Sequence, residues 1–250
     1  MDPRDPPADV VERTGIDPAS VEPVEWRHPL WFVTVDGERA VLHRQPPYRS
    51  LADLQREAAV LTKIAPRFPV PEPIDTFEAH GSAWSIVTYL PGETPGWSPD
   101  YDLAAHGAFM AEFHLAVADL GLIHGDFTTL NVVARYGRPC GLIDFANAAV
   151  DSPLADLGAA LWQAGRATFE GTAIDLDRVT AIVSGYHRVS PLPDEAQELI
   201  PNFMAARGHN LVEKWLDRGG VDVAPALERL GVIEASIADL RNAIATAARQ

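Results

Sequence analysis

The sequence predicts an α+β protein of two lobes, a small N-terminal β-sheet lobe with one helix and a larger helical C-terminal lobe. Three observations carry this. Apolar runs with alternating or β-branched residues, WFVTV and RAVLH, flank an Asp36-Gly37 turn, which is hairpin chemistry. The stretch PGETPGWSPD, rich in proline and glycine, then interrupts the chain and reads as a linker. From Pro153 onward the periodicity is almost wholly helical.

Taken in order, residues 1–20 carry Pro3, Pro6, Pro7 and Pro18 among charges and read as a loosely ordered lead-in with one short helical turn. Residues 21–91 form the first lobe. After the hairpin, SLADLQREAAVLTKI sets Leu51, Leu54, Ala58 and Leu61 on one helical face, with Ser50 as N-cap. Prolines at 69, 71 and 73 return the chain to extended structure, and SAWSIVTYL follows as an apolar strand. Residues 92–99 are the linker and 100–250 the second lobe, opening on a helix over YDLAAHGAFMAEFHLAVADL. His114 on that helix is expected to be a packed histidine, and Trp26, Trp31 and Trp84 core or interface residues.

Composition narrows the function. The single cysteine, Cys140, excludes an intrachain disulfide framework and favours a reducing, cytoplasmic setting. No apolar run is long enough to span a membrane. A net charge of -15 repels nucleic-acid backbones and anionic lipid, so neither is an expected partner.

The informative stretch is HGDFTTLN, residues 124–131, followed by Ile143-Asp144-Phe145. NVVAR and CGLIDF are short strands joined by a tight Tyr136-Gly137 turn, which brings Asp126, Asn131 and Asp144 towards one another. Three oxygen-bearing side chains so arranged suit a hard cation such as Mg²⁺. Phosphoryl transfer needs that metal and a carboxylate to orient the attacking hydroxyl.

HGDFTTLN and IDF resemble the catalytic and metal-binding loops of the protein-kinase-like superfamily, in the form used by aminoglycoside and related small-molecule phosphotransferases. The resemblance implies ATP as phosphoryl donor, Asp126 as catalytic base, and Asn131 and Asp144 as Mg²⁺ ligands. His124 would be structural, and Asp156 in SPLADLGAAL would brace the catalytic loop. Upstream, Glu57 resembles the helix glutamate that orients a phosphate-binding lysine, but the strand offers His43 and Arg44 in place of the lysine. SIVTYLPGE resembles the hinge strand, whose backbone at Thr88 and Leu90 would hold the adenine edge. No glycine lies between Gly15 and Gly37, so the usual glycine-rich phosphate loop is missing, and Phe145 is followed by Ala146 in place of glycine.

The resemblance implies transfer to a hydroxyl of a small molecule: an aminoglycoside-like antibiotic, a sugar or an amino alcohol. Acids of the helical lobe, Asp175, Asp177, Glu195 and Glu198, would suit a cationic acceptor. Two alternatives stand beside this: a compact atypical protein kinase or ATPase, whose HGD loop is also similar, and a pseudokinase that binds nucleotide without transferring phosphate.

Overall fold

The computed structural model describes residues 5–24, 29–168, 170–219 and 221–249. Trp26 lies outside them. The chain divides into two compact units, residues 1–91 and 92–250.

The first unit contains α1 (Ala8–Arg13), β1 (Glu22–Val24), β2 (Leu30–Val35), β3 (Glu38–Arg44), α2 (Leu51–Ile64), β4 (Pro73–Ala79) and β5 (Ser82–Thr88). Its antiparallel sheet runs β1-β2-β3-β5-β4. Asp36 and Gly37 both take positive φ, as a two-residue hairpin turn requires, and fix the β2-β3 register with Leu42 opposite Trp31. One face of the sheet buries Trp31, Val33, Leu42, Trp84 and Ile86, with the Trp31 and Trp84 rings stacked at 5.8 Å. The opposite face carries α2, whose start is held by a capping box between Ser50 and Asp53.

Residues 8–20 depart from the loose lead-in expected of them. Val10, Val11 and Ile16 join the core of the first sheet face, and Ile16 bridges to Val35. Three apolar side chains among prolines are a weak sequence signal, yet each finds a hydrophobic seat and so repays its ordering entropy.

The second unit contains α3 (Leu103–Ala116), β6 (Leu122–Ile123), β7 (Val132–Arg135), β8 (Arg138–Leu142), β9 (Ala149–Val150), α4 (Pro153–Ala164), α5 (Leu176–Val189), α6 (Ala196–Arg218), α7 (Ala224–Ala235) and α8 (Ile237–Ala247). Helices α3 and α5 cross backbone to backbone. A β-carbon on Gly107 would lie 1.9 Å from the Ile182 carbonyl, and one on Gly185 the same distance from that of Ala104. The β7-β8 hairpin turns through Tyr136 and Gly137, both at positive φ. It is the short arm that carries the candidate site. Among the described residues no helix is long and apolar enough to cross a membrane.

Candidate functional site

Asp126 and Asn131 lie in the loop between β6 and β7, Asn131 immediately before β7, and Asp144 follows β8. The backbone ties them together. Ile143 N–H donates to the Asn131 carbonyl at 2.8 Å, which sets Asp144 one residue from that contact. The Asn131 side chain donates through Nδ2 to the Asp126 carbonyl at 2.9 Å, leaving its Oδ1 as the acceptor end. Asp144 is exposed and left-handed, φ 64° and ψ 71°, a conformation Asp tolerates better than most residues.

His124 locks the two loops. It is fully buried, donates from Nε2 to the Ile143 carbonyl at 2.9 Å, and accepts at Nδ1 from the Asp126 amide at 3.2 Å. Those two bonds define its tautomer. Its ring meets Phe145 edge-on at 4.7 Å, which holds the segment after Asp144 in place.

Asp156, on the first turn of α4, is also fully buried. Its Oδ1 accepts from Gly125 N–H and its Oδ2 from His124 N–H, both at 2.7 Å. Oδ2 accepts in addition from His114 Nε2 at 3.0 Å, while the Tyr186 hydroxyl donates to His114 Nδ1 at 2.9 Å. So the expected packed histidine anchors the carboxylate that braces the loop carrying Asp126. Gly125 could carry no side chain here, because its φ is 76° and a β-carbon would sit 2.1 Å from the Asn147 carbonyl.

Arg207 is the residue sequence reasoning missed. From α6 it donates through Nη2 to Asp126 Oδ1 at 2.5 Å, with Nη1 at 3.4 Å from the Gly125 carbonyl. The pair joins residues 81 apart in sequence, and no local pattern announces it.

In the first unit, the candidate nucleotide residues divide. His43 and Ser85 are register partners on the sheet face that carries α2, and Gln45 Nε2 donates to both, at 3.0 Å to His43 Nδ1. Gln45 Oε1 accepts from Arg49, and Arg49 donates to Glu57 at 2.6 Å. Glu57 is therefore paired with Arg49, a cation from just before α2 that the sequence had not singled out. Arg44 points to the other face, where it donates to Ser82 and lies over the Trp84 ring, apart from His43 and Glu57. Alternation along β3 is the reason. The Thr88 amide donates to the Glu72 carbonyl at 2.9 Å. Leu90 follows β5, half-buried.

A model of the phosphotransferase enzyme family matches residues 21–119 and 97–192, most of the chain. The chain belongs to this family. Similar to this phosphotransferase-family chain is a homoserine kinase of Methylobacillus glycogenes, 30% identical over 132 residues, a match spanning 50% of this chain but only 39% of that kinase. Among solved structures, an aminoglycoside phosphotransferase in ternary complex with ADP and hygromycin B has a TM-score of 0.68 at 15% identity, over 92% of this chain and 97% of that one. A microcompartment-associated aminopropanol kinase has a TM-score of 0.61 at 14% identity, over 92% and 94%. Both likenesses are of the two-lobed α+β fold.

Asn131 and Asp144 suit Mg²⁺ by the chemistry of their donors, one amide oxygen and one exposed carboxylate. Among the described residues there is no group of three or more His, Cys, Asp or Glu that could hold a metal by itself. A two-ligand set of hard oxygens is what Mg²⁺ accepts when substrate phosphates complete its shell.

Proposed function

We propose that this chain is an ATP-dependent phosphotransferase that moves the γ-phosphoryl group to a hydroxyl of a small molecule. One observation carries it: Asp126, Asn131 and Asp144 are tied into one constellation by His124 and braced by Asp156. A loop or turn aspartate needs no such scaffold. A group that must meet a reacting atom within a fraction of an ångström does.

Asp126 takes the proton of the acceptor hydroxyl as that oxygen bonds to the γ-phosphorus and the bond from γ-phosphorus to the β,γ-bridging oxygen breaks, releasing ADP. Mg²⁺, when held by Asn131 and Asp144, supplies the positive charge that screens the phosphates. His124 keeps the catalytic loop and the metal loop in register during the transfer. Family membership and the homoserine and aminopropanol kinases it resembles support a small hydroxylated acceptor. In the first unit we assign the phosphate grip to His43 and to Arg49, with Glu57 orienting Arg49 in the lysine's stead. Leu90 remains the backbone candidate for the adenine edge.

The test is Mg²⁺-dependent ATP consumption by the purified protein with a panel of hydroxylated small molecules, beside an Asp126→Asn control. Acceptor-stimulated turnover should fall by about two to four orders of magnitude in the control. Equal turnover in both proteins would refute the assignment, and nucleotide binding without any stimulated turnover would point to a binding module instead.

A further inference from the structure

We infer that Arg207 is a positioning residue for the reaction: it turns the Asp126 carboxylate so that Oδ2 is presented to the acceptor hydroxyl. The inference rests on the phosphotransferase reading above and adds to that site the group that aims its base.

The loop fixes the backbone of Asp126 but not its side chain. The Asp126 amide donates to His124 Nδ1, and its carbonyl accepts from the Thr128 amide at 2.8 Å and from Asn131 Nδ2 at 2.9 Å. Just upstream, Asp156 of α4 holds the His124 and Gly125 amides. None of these bonds touches the carboxylate, which left to itself would turn about its own side-chain torsions. Among the described residues Arg207 alone meets it. Nη2 donates to Oδ1 at 2.5 Å, and Oδ2 accepts from no described residue.

Helix α6 is seated where this bond can form. A β-carbon on Gly158 of α4 would lie 2.5 Å from the Phe203 β-carbon, and one on Gly208 the same distance from the Trp162 ring. These two close approaches flank Arg207 along α6 and press that helix on α4. The helix that supplies Asp156 therefore sets both the backbone of the loop and, through α6, the guanidinium. Arg207 then spans two neighbouring residues, with Nη1 3.4 Å from the Gly125 carbonyl and Nη2 on Asp126. A planar fork held at two points fixes direction as well as distance, which a single ammonium does not.

A plainer role for the pair is to steady the fold. Its side chains are 20% and 22% exposed, and ion pairs open to water add little stability. The buried Nε of Arg207 also has no partner, so the side chain forgoes a hydrogen bond in reaching the loop. Aiming a base is the role that repays such an arrangement, because proton transfer depends on both the distance and the alignment of the two oxygens. The bond to Oδ1 leaves the lone pairs of Oδ2 for the hydroxyl.

The experiment measures Mg²⁺-dependent ATP consumption by the full chain with L-homoserine, aminopropanol and ethanolamine as acceptor probes, and without acceptor, where water takes the phosphoryl group. Arg207→Ala should lower the Asp126-dependent kcat by about tenfold to a hundredfold, and Arg207→Lys should recover only part of that. Guanidinium chloride, far below denaturing concentrations, should then raise turnover of Arg207→Ala by at least about fivefold over sodium chloride of equal ionic strength, with no such gain in wild type or Asp126→Asn. A role in folding alone predicts the opposite sign, since guanidinium weakens folded proteins. Melting temperatures accompany each variant. Arg207→Gln, which keeps the bulk, replaces Arg207→Ala if the latter does not fold, and should show the same loss of kcat. A kcat within about twofold of wild type in the neutral variants, or an Arg207→Ala loss that guanidinium leaves unrestored, would overturn the inference. If Asp126→Asn abolishes turnover in that case, the phosphotransferase reading stands and only this one falls. ATP use that is indifferent to Asp126→Asn, or absent with every probe, overturns that reading and this one with it.

Discussion

Arg49 donates to Glu57 across 2.6 Å, with the two side chains only 16% and 17% exposed. Glu57 thus holds a cation, although β3 provides no lysine to be held. Arg49 also donates to Gln45, which in turn donates to His43, so the guanidinium is fixed by two acceptors and linked to the strand. Arg49→Ala is expected to lower kcat/KM for ATP by about tenfold to a hundredfold, the scale of losing one preorganised charged donor. Arg49→Lys, which keeps the charge but not the fork, should recover part of it. Steady-state kinetics against ATP, at saturating acceptor, decides. An Arg49→Ala protein with unchanged kcat/KM would assign the pair to structure alone.

Asp156 satisfies two backbone amides and the His114 imidazole from a fully buried position. Removing the carboxylate leaves three buried donors without an acceptor. Asp156→Ala is therefore expected to cost about 3–5 kcal/mol of folding stability, measured by urea unfolding. Asp156→Asn retains one acceptor oxygen but brings a surplus donor, so it should recover little. A loss below about 1 kcal/mol in Asp156→Ala would mean that water or a rearranged loop replaces the brace.

Legibility tracked how local each signal is. Asp36-Gly37 and Tyr136-Gly137 name their own turns, because few residues accept positive φ. Ser50 and Asp53 cap α2 from within four residues of sequence. HGDFTTLN and IDF pointed to a site whose parts lie within about twenty residues. Arg207 could not be found this way, since its partners lie 81 and 82 residues away. Arg49 was hidden for another reason: it precedes a helix cap, where an arginine ordinarily means nothing. Residues 8–20 misled because proline and charge outweighed Val10, Val11 and Ile16 in composition, while burial depends on where those three land.

The catalytic loop should be intolerant of any side chain at position 125. Gly125→Ala combines a left-handed φ of 76° with a β-carbon 2.1 Å from the Asn147 carbonyl, a backbone atom that cannot swing away. Strain at the residue alone costs about 1–2 kcal/mol, and the clash must also displace either the loop or Asn147. Turnover should therefore fall by more than the melting temperature suggests, because Asp126 follows directly. A Gly125→Ala protein with wild-type kcat would show that the loop needs less precise placement than its bonding implies.

Stability should decline on mild acidification through His106. This histidine is completely buried on α3, accepts at Nδ1 from the Tyr101 hydroxyl at 2.8 Å, and packs edge-on against Phe127. Burial, opposed in part by the Phe127 carbonyl, brings its pKa from 6.5 to about 4. Burial likewise raises the Tyr101 pKa, so the hydroxyl stays a donor throughout. The sign follows from which state takes the proton. Above pH 6.5 neither folded nor unfolded chain binds it, and stability is undiminished. Between 6.5 and about 4 the unfolded chain binds a proton that the folded one refuses, so stability falls with pH, by about 2 kcal/mol at pH 5. Denaturant unfolding of wild type and His106→Gln at pH 7 and pH 5 separates this from the titration of carboxylates, which both proteins share. The pH-dependent loss should be smaller in the variant by about that amount, and equal losses in the two would exclude His106 as the cause.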